Sequence, residues 1–171
     1  MGDPFGKITS GQDILGKIRN LLSKFGGYVD RDNRREADKL LRETVGRRYE
    51  EQWARISEIQ KQLANEGQLE QVDDLESAAV KLRAFIDRIS RASHGYAGFF
   101  DAVRINEAEL VKLYEYDLKL LENVNLLSQA VDNVVSSVGA EGLPAAIRNL
   151  VTVSQEAIDA FNRRDEVLVA V

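Results

Sequence analysis

The chain has 171 residues, a net charge of −5, 44% hydrophobic and 30% charged residues, a balance that predicts a packed protein rather than a disordered one. Cysteine is absent and histidine occurs once, which excludes disulfide frameworks, thiolate metal sites, cysteine nucleophiles and sites that need two histidines. The sequence has neither a P-loop motif nor an apolar run of about 18 residues, so P-loop phosphate binding and a membrane-spanning helix are not expected.

Residues 1–29 are predicted to form an amphipathic helix followed by a linker. Apolar side chains recur at helical spacing over residues 11–25, and Gly26 and Gly27 end the pattern. This region carries four Lys and Arg and only two Asp, a composition that suits binding to an anionic headgroup layer. The alternative is that the helix packs its apolar stripe on the rest of the protein. The candidate membrane-surface residues are Ile14, Lys17, Ile18, Arg19, Leu21, Leu22, Lys24 and Phe25.

Residues 30–171 are predicted to form a helical bundle domain, and its first helix is expected from about Asn33 to Asn65. Acidic residues alternate with the arginines of this segment, so we expect a solvated, salt-bridged face rather than an RNA-binding surface. Glu51 and Arg55 are four apart and are expected to form one of these bridges. The predicted core stripe consists of Ala37, Leu41, Val45, Tyr49, Trp53, Ile56, Ile59 and Leu63. The arginines predicted to be solvated include Arg42, Arg47 and Arg48.

Three further helices are expected, over residues 68–92, residues 106–138 and the segment that follows the "GAEGLP" corner. Steps of three and four residues give each an apolar stripe, and those of the first two approach a coiled-coil seam. Such seams favour self-association, but they could equally close one chain into a bundle. The stripes comprise Leu69, Val72, Leu75, Ala79, Leu82, Ile86 and Ile89, then Leu110, Tyr114, Leu121, Val124, Leu127, Val131, Val134 and Val138, then Ile147, Leu150, Ser154, Ile158 and Phe161.

No window shows sustained alternation of period two, so the predicted fold class is all-α. The predicted helices are much longer than the average of about 11–12 residues. Long helices joined by short corners imply antiparallel neighbours. We therefore expect an antiparallel bundle or elongated helical hairpins of four to five helices, with coiled-coil-like packing.

The stretch "SHGYAGFFD" at residues 93–101 concentrates the only histidine, two glycines and three aromatic residues. One interpretation is a helix corner in which the aromatic rings plug the end of the bundle. The functional interpretation is a partner-docking site, because clustered aromatic residues are common in binding hot spots. A third is a small-molecule or enzymatic pocket that also includes Tyr114, and a fourth is catalysis by His94. The partner-docking candidates are His94, Tyr96, Phe99 and Phe100.

The carboxylates show no catalytic or metal-binding pattern. Glu115 and Asp117, like Glu107 and Glu109, are two residues apart and do not share a helix face. We therefore expect all of them to be ordinary solvated surface, with no cofactor. Residues 62–171 carry ten Lys and Arg against eighteen Asp and Glu, a balance that argues against nucleic-acid binding.

Two resemblances accompany these patterns. The stretch "SHGYAGFFDAVRINEAELVKLYEYD" resembles a segment of helical bacterial proteins of unassigned function. A short basic amphipathic helix ahead of long helical hairpins is similar in layout to the phage-shock protein A family, which binds stressed membranes. This resemblance implies a membrane-associated helical scaffold, although the Gly26-Gly27 break and the aromatic corner depart from it.

The sequence thus predicts a non-enzymatic interaction or scaffold protein that binds a protein partner or itself. The expected location is the cytoplasm, at the inner face of an anionic membrane when the N-terminal helix engages lipid. The alternative function is a small-molecule-binding or enzymatic bundle with its pocket at the aromatic corner, residues 95–100.

Overall fold

The computed structural model describes residues 34–95 and 107–169. They form four helices, α1 (Arg34–Asn65), α2 (Leu69–Gly95), α3 (Glu107–Ser137) and α4 (Leu143–Val169), and no strand occurs within these ranges. The predicted all-α class is therefore confirmed, and the helix boundaries lie within a few residues of those expected. Of the predicted division at residues 29 and 30, the structure describes only the bundle side.

The four helices pack as a bundle whose neighbours are α1 with α2, α3 with α4, α2 with α4, and α1 with α3. The helices within each hairpin, α1 with α2 and α3 with α4, run antiparallel. By contrast, α2 and α4 run parallel, because Lys81 donates to Gln155 and Arg88 to Asn162 with the same offset along both helices. The sequence left the packing order of the helices open, and the structure places α2 and α3 across the diagonal of the bundle rather than side by side.

This arrangement gives the bundle two different ends. The turn end contains the short connections at residues 66–68 and 138–142. The opposite end contains the starts of α1 and α3 and the ends of α2 and α4. Because α1 and α2 are antiparallel, His94 in the last turn of α2 belongs to the opposite end, far from both turns.

The core is built from the stripes that the sequence predicts. The rings of Tyr49 and Phe85 lie 4.6 Å apart between centroids, and Phe85 meets Phe161 edge-on at 5.5 Å. These contacts join α1, α2 and α4, and each aromatic pair adds stabilisation beyond the area it buries. The Ser154 hydroxyl is buried and donates to the Leu150 carbonyl of its own helix at 2.7 Å, which satisfies a polar group on an otherwise apolar stripe.

Two corrections concern these stripes. Leu69 was expected in the core, but its side chain is 64% exposed. It is the first residue of α2, directly after the turn, and its exposure shows that the neighbouring helices do not cover it. Phe85 was not assigned to the stripe, yet it is among the largest fully buried side chains.

α1 ends in a Schellman motif at the first turn. Gly67 has φ of 78°, its N–H donates to the Ala64 carbonyl, and the N–H of Gln68 donates to the Leu63 carbonyl at 2.9 Å. The left-handed conformation is accessible to glycine without a Cβ penalty. The predicted cap at Gly67 is therefore confirmed, and it reverses the chain within three residues.

The coiled-coil-like seams of α2 and α3 are buried inside this single bundle. Leu75, Leu82 and Ile89 of α2 and Leu121 and Val131 of α3 are each 1% exposed or less. Of the two interpretations of these seams, closure of one chain therefore describes the packing that the structure shows.

Candidate interaction surfaces

The sequence-predicted site residues fall mainly outside the described ranges. This holds for all of the membrane-surface candidates and for the aromatic candidates Tyr96, Phe99 and Phe100. His94 lies within α2, but its side chain and that of Tyr114 are outside the described part of the structure. Their roles therefore remain predictions, and the sites below come from the rest of the bundle.

An open groove runs along the surface at the turn end, between the C-terminal half of α1 and α3. Its volume is about 780 Å³. Ala54, Ile59 and Val135 supply its apolar surface, and Val135 is 49% exposed, a high value for a large aliphatic side chain. Glu58, Lys61 and Glu66 are among the polar lining residues. The groove is thus an amphipathic surface in which Val135 is open to solvent and Ile59 is buried, and it lies at the end of the bundle remote from Gly95, the last residue of α2.

A buried ion pair lies in the other half of the bundle. Arg164 of α4 donates through Nε to the Asp117 carboxylate of α3, and their side chains are only 2% and 7% exposed. Arg42 of α1 is also buried, at 6% exposure. Asp117 and Arg42 were both expected on the solvated surface, and this expectation is wrong. Charged groups at this depth require partners, because removing a charge from water costs several kcal/mol.

A signal for the burial of Asp117 exists in the sequence. The predicted stripe of α3 steps from Tyr114 directly to Leu121, and Asp117 occupies the position three residues after the first and four before the second. Arg164 likewise follows the buried Phe161 by three residues. Helical spacing places both residues on the inner faces, but the charge of Asp117 led to its assignment as a surface residue.

Two further polar groups lie in the core. The Tyr49 hydroxyl and the Asn123 side-chain nitrogen are buried and make no hydrogen bond within the described structure. Burial raises the pKa of Tyr49 well above its ordinary value, because the charged phenolate would lose its hydration. Tyr49 is therefore protonated throughout the neutral range and contributes an aromatic ring rather than an acid or base.

Ion pairs between helices cover the outer surface. Arg83 of α2 donates to both oxygens of Glu50 of α1, at 3.1 and 2.8 Å, and its guanidinium lies 4.0 Å from the centre of the Trp53 ring. The hydrogen bond to Glu50 is the main reason that the pKa of Arg83 is raised. Trp53 is half-buried against the core, as the stripe predicted, and is covered from outside by this cation.

One predicted ion pair is replaced by two others. Arg55 does not pair with Glu51 but reaches across to Asp132 of α3 and also donates to Gln52. Glu51 accepts instead from Arg48, at 3.0 Å. Helical spacing identifies which charges lie close together on one helix, but the neighbouring helix offers Arg55 an acidic partner that the spacing cannot reveal.

No family model matches the sequence, no curated protein matches it, and no solved structure matches its fold. Among residues 34–95 and 107–169, no helix is long and apolar enough to cross a bilayer. Within the same ranges no group of three or more His, Cys, Asp or Glu is placed to hold a metal ion. The similarity in layout to the phage-shock protein A family therefore stays a prediction.

Proposed function

We propose that this chain is a non-enzymatic helical interaction protein whose bundle serves as a scaffold and whose residues 11–25 associate with anionic membrane surfaces. The proposal is carried by one observation. The four described helices bury their apolar stripes against one another, so the amphipathic stripe of residues 11–25 is a fifth apolar face that needs a partner of its own.

The chemistry of that fifth face suits a lipid headgroup layer. Ile14, Ile18 and Leu21 share one side of the predicted helix, while Lys17 and Lys24 lie on other sides. Each Lys or Arg close to an anionic surface contributes about 1 kcal/mol. Three such residues and a continuous apolar stripe give reversible attachment rather than permanent anchoring.

The bundle itself suits a scaffold because polar interactions connect three pairs of neighbouring helices. Glu50–Arg83 joins α1 to α2, Arg55–Asp132 joins α1 to α3, and the buried Asp117–Arg164 pair joins α3 to α4. Together with the aliphatic core, these links support a rigid body that presents a constant surface. The alternative, a small-molecule or enzymatic bundle with a pocket at residues 95–100, concerns a stretch of which residues 96–100 lie outside the described ranges, and it stays a prediction.

Vesicle flotation tests the membrane part of the proposal. We expect the full chain to float with anionic vesicles and not with neutral ones. The variant Leu21→Asp, Leu22→Asp places two charges in the apolar stripe and is expected to abolish flotation. The matched variant Asn20→Asp, Ser23→Asp adds the same charge on the polar side and is expected to retain most of it.

The flotation of each variant is compared with its helicity, so that unfolding is not mistaken for a loss of lipid binding. Circular dichroism should show the same helicity for both variants, because both changes lie outside residues 34–95 and 107–169, which form the described bundle. If the unaltered chain fails to float with anionic vesicles, or if both variants lose flotation equally, the proposed role of the stripe is wrong. Partner capture by the bundle is a separate question, for which sedimentation velocity of the full chain first establishes whether it self-associates.

A further inference from the structure

The outer face formed by α3 and α4 carries unusually few charges. Over residues 123–155 only Asp132, Glu141 and Arg148 are charged, three of 33 residues, whereas charged residues make up 30% of the chain. Leu126 is 46% exposed and lies about 120° around α3 from Asp132, which reaches α1, so it is on the side away from α1. Charged residues are depleted at the centres of protein interfaces, because burying an unpaired charge is costly. This face therefore has the composition of an interface.

A stripe of exposed side chains runs along α4 with a symmetric spacing. Its members are separated by four, three, four, four, three and four residues, so the spacing is the same in both directions from the central Thr152. All of them are exposed. Gln155 and Asn162 bond to α2, and the stripe lies on the other flank of the outer surface, next to α3. The stripe consists of Glu141, in the turn directly before α4, and of Ala145, Arg148, Thr152, Glu156, Asp159 and Arg163.

The charges of this stripe are opposite in sign about Thr152. Arg148 lies four residues before Thr152 and Glu156 four residues after it. Glu141 lies eleven residues before it and Arg163 eleven after it. If two α4 helices lie antiparallel with their Thr152 residues together, Arg148 faces Glu156 of the second copy. Glu141 then faces Arg163 of the second copy, and the two-fold symmetry forms each of these pairs twice.

These four charged residues are not paired inside the bundle. Ion pairs along a helix form at spacings of three or four residues, but Arg148 and Glu156 are eight apart, about 12 Å along the axis. Other exposed charges do pair, as Glu50 does with Arg83. No ion pair within residues 34–95 and 107–169 involves any of the four charges. A second copy supplies the counter-charges that the chain itself does not place beside them.

We propose that two copies of this chain associate through this face, with the two α4 helices antiparallel about Thr152. This inference rests on the interaction part of the proposed function, because it names the partner that the bundle binds. The Thr152 hydroxyl donates to the Arg148 carbonyl of its own helix at 3.1 Å. It is therefore buried at the centre of the interface without an unsatisfied donor. The remaining charge of the stripe, Asp159, faces the neutral Ala145 of the second copy, so no like charges of the two stripes meet.

α3 widens the interface beside α4. The Asp117–Arg164 ion pair fixes which residues of the two antiparallel helices are at the same level of the bundle. Counted from that pair, Leu126 of α3 lies within one turn of the level of Thr152. The symmetry axis that relates the two α4 helices also lays α3 along α3 of the second copy, and it brings Leu126 to the level of the uncharged Asn133. The exposed apolar side chain is thereby covered close to the centre.

The size of the face fits a reversible dimer. The stripe is about 33 Å long from Glu141 to Arg163, and two helices side by side are about 20 Å wide. The face therefore covers on the order of 650 Å² per copy, below the roughly 800 Å² of a standard interface. We expect a dissociation constant in the micromolar range rather than a permanent dimer.

Sedimentation equilibrium of the full chain, at about 1–300 µM, measures this association. Arg148→Glu and Glu156→Arg each set like charges against each other twice in the dimer, so each should raise the dissociation constant at least about tenfold. Lys61→Glu and Glu70→Arg are the matched controls. They make the same changes of net charge at exposed positions of α1 and α2, away from this face, and should change the dissociation constant less than about twofold.

An equal mixture of the R148E and E156R chains tests the register. In the mixed dimer the acidic pair of one chain faces the basic pair of the other, so we expect the mixture to associate at least as tightly as the unaltered chain. Misfolding cannot produce this rescue, because each variant is repaired only by contact with the other.

Three results overturn the proposal. The first is a chain that stays monomeric over the whole concentration range. The second is a dimer that neither R148E nor E156R weakens, because it then forms through another surface. The third is a mixture that associates no more strongly than its two components, because the antiparallel register about Thr152 is then wrong.

Vesicle flotation separates this inference from the proposed function. The stripe of α4 lies outside residues 11–25, so R148E should float with anionic vesicles as the unaltered chain does. A chain that floats but stays monomeric keeps the membrane role and refutes self-association. A dimer that does not float refutes the membrane role instead. A dimer that resists both variants keeps the interaction function and refutes the face proposed for it.

Discussion

Removing one partner of the buried Asp117–Arg164 pair is expected to destabilise the bundle severely. The variant Arg164→Met keeps an unbranched apolar stem but leaves the Asp117 carboxylate, only 7% exposed, without the guanidinium it accepts from. Breaking such a buried pair costs about 3–5 kcal/mol. Since whole domains are stable by about 5–15 kcal/mol, this is a large fraction of the total.

Urea unfolding followed by circular dichroism measures this loss. With a slope of about 1–3 kcal/mol per molar urea, we expect the midpoint of R164M to fall by at least 1 M. The exposed pair provides the matched control, because Arg83→Met removes an arginine that also pairs across two helices. An exposed pair is worth about 1 kcal/mol or less, so the R83M midpoint should move much less.

The double variant Asp117→Leu, Arg164→Met distinguishes the ion pair from simple packing. Replacing both charges with apolar side chains removes the desolvation cost of each, so we expect most of the stability lost in R164M to return. If R164M is no less stable than R83M, the pair is not buried as described. If the double variant is as unstable as the sum of its single variants, the charges are not coupled.

Three further predictions concern particular side chains. Tyr49→Phe removes a buried hydroxyl that makes no hydrogen bond within the described structure, so the free energy of unfolding at pH 7 should stay equal or rise by about 1 kcal/mol. Burial raises the pKa of Tyr49. The buried, protonated side chain therefore stabilises the fold fully below the unfolded pKa near 10, and this stabilisation falls as the pH rises beyond it. Alkaline denaturation should be less steep in Y49F, and equal slopes would contradict the burial. Gly67→Ala puts a Cβ on a residue with φ of 78° and should cost about 1–2 kcal/mol. Gly46 lies within α1, and a Cβ there would be at an ordinary 3.6 Å from the Ile89 side chain. Gly46→Ala should therefore raise the free energy of unfolding by about 0.5–1 kcal/mol. If thermal unfolding shows that both glycine variants shift the melting temperature in the same direction, this contrast is wrong. Leu75→Ala should cost about 2–5 kcal/mol and Leu69→Ala less than about 0.5, and similar losses in chemical unfolding would show that Leu69 is covered.

The candidate sites were predictable to different degrees. The amphipathic stripe of residues 11–25 is visible in the sequence because it depends only on the spacing of apolar residues along one helix. The groove was not predictable, because it depends on how closely α1 and α3 approach over the residues from Ala54 to Glu66. Helical spacing places Val134 in the core stripe and leaves Val135 outside it, as the structure confirms, but it does not reveal that α1 runs beside the exposed Val135.

The sequence by itself determined the all-α class, the four described helices, most of their inner faces and the turn at Gly67, because these depend on local periodicity and on backbone conformation. The tertiary structure alone decided that α2 and α3 lie on the diagonal, that Arg55 reaches Asp132, and that Asp117 and Arg164 are buried together. Local spacing identifies the face on which a side chain lies. Which helix covers that face, and whether a charge there meets its counter-charge, depends on contacts between segments far apart in the chain.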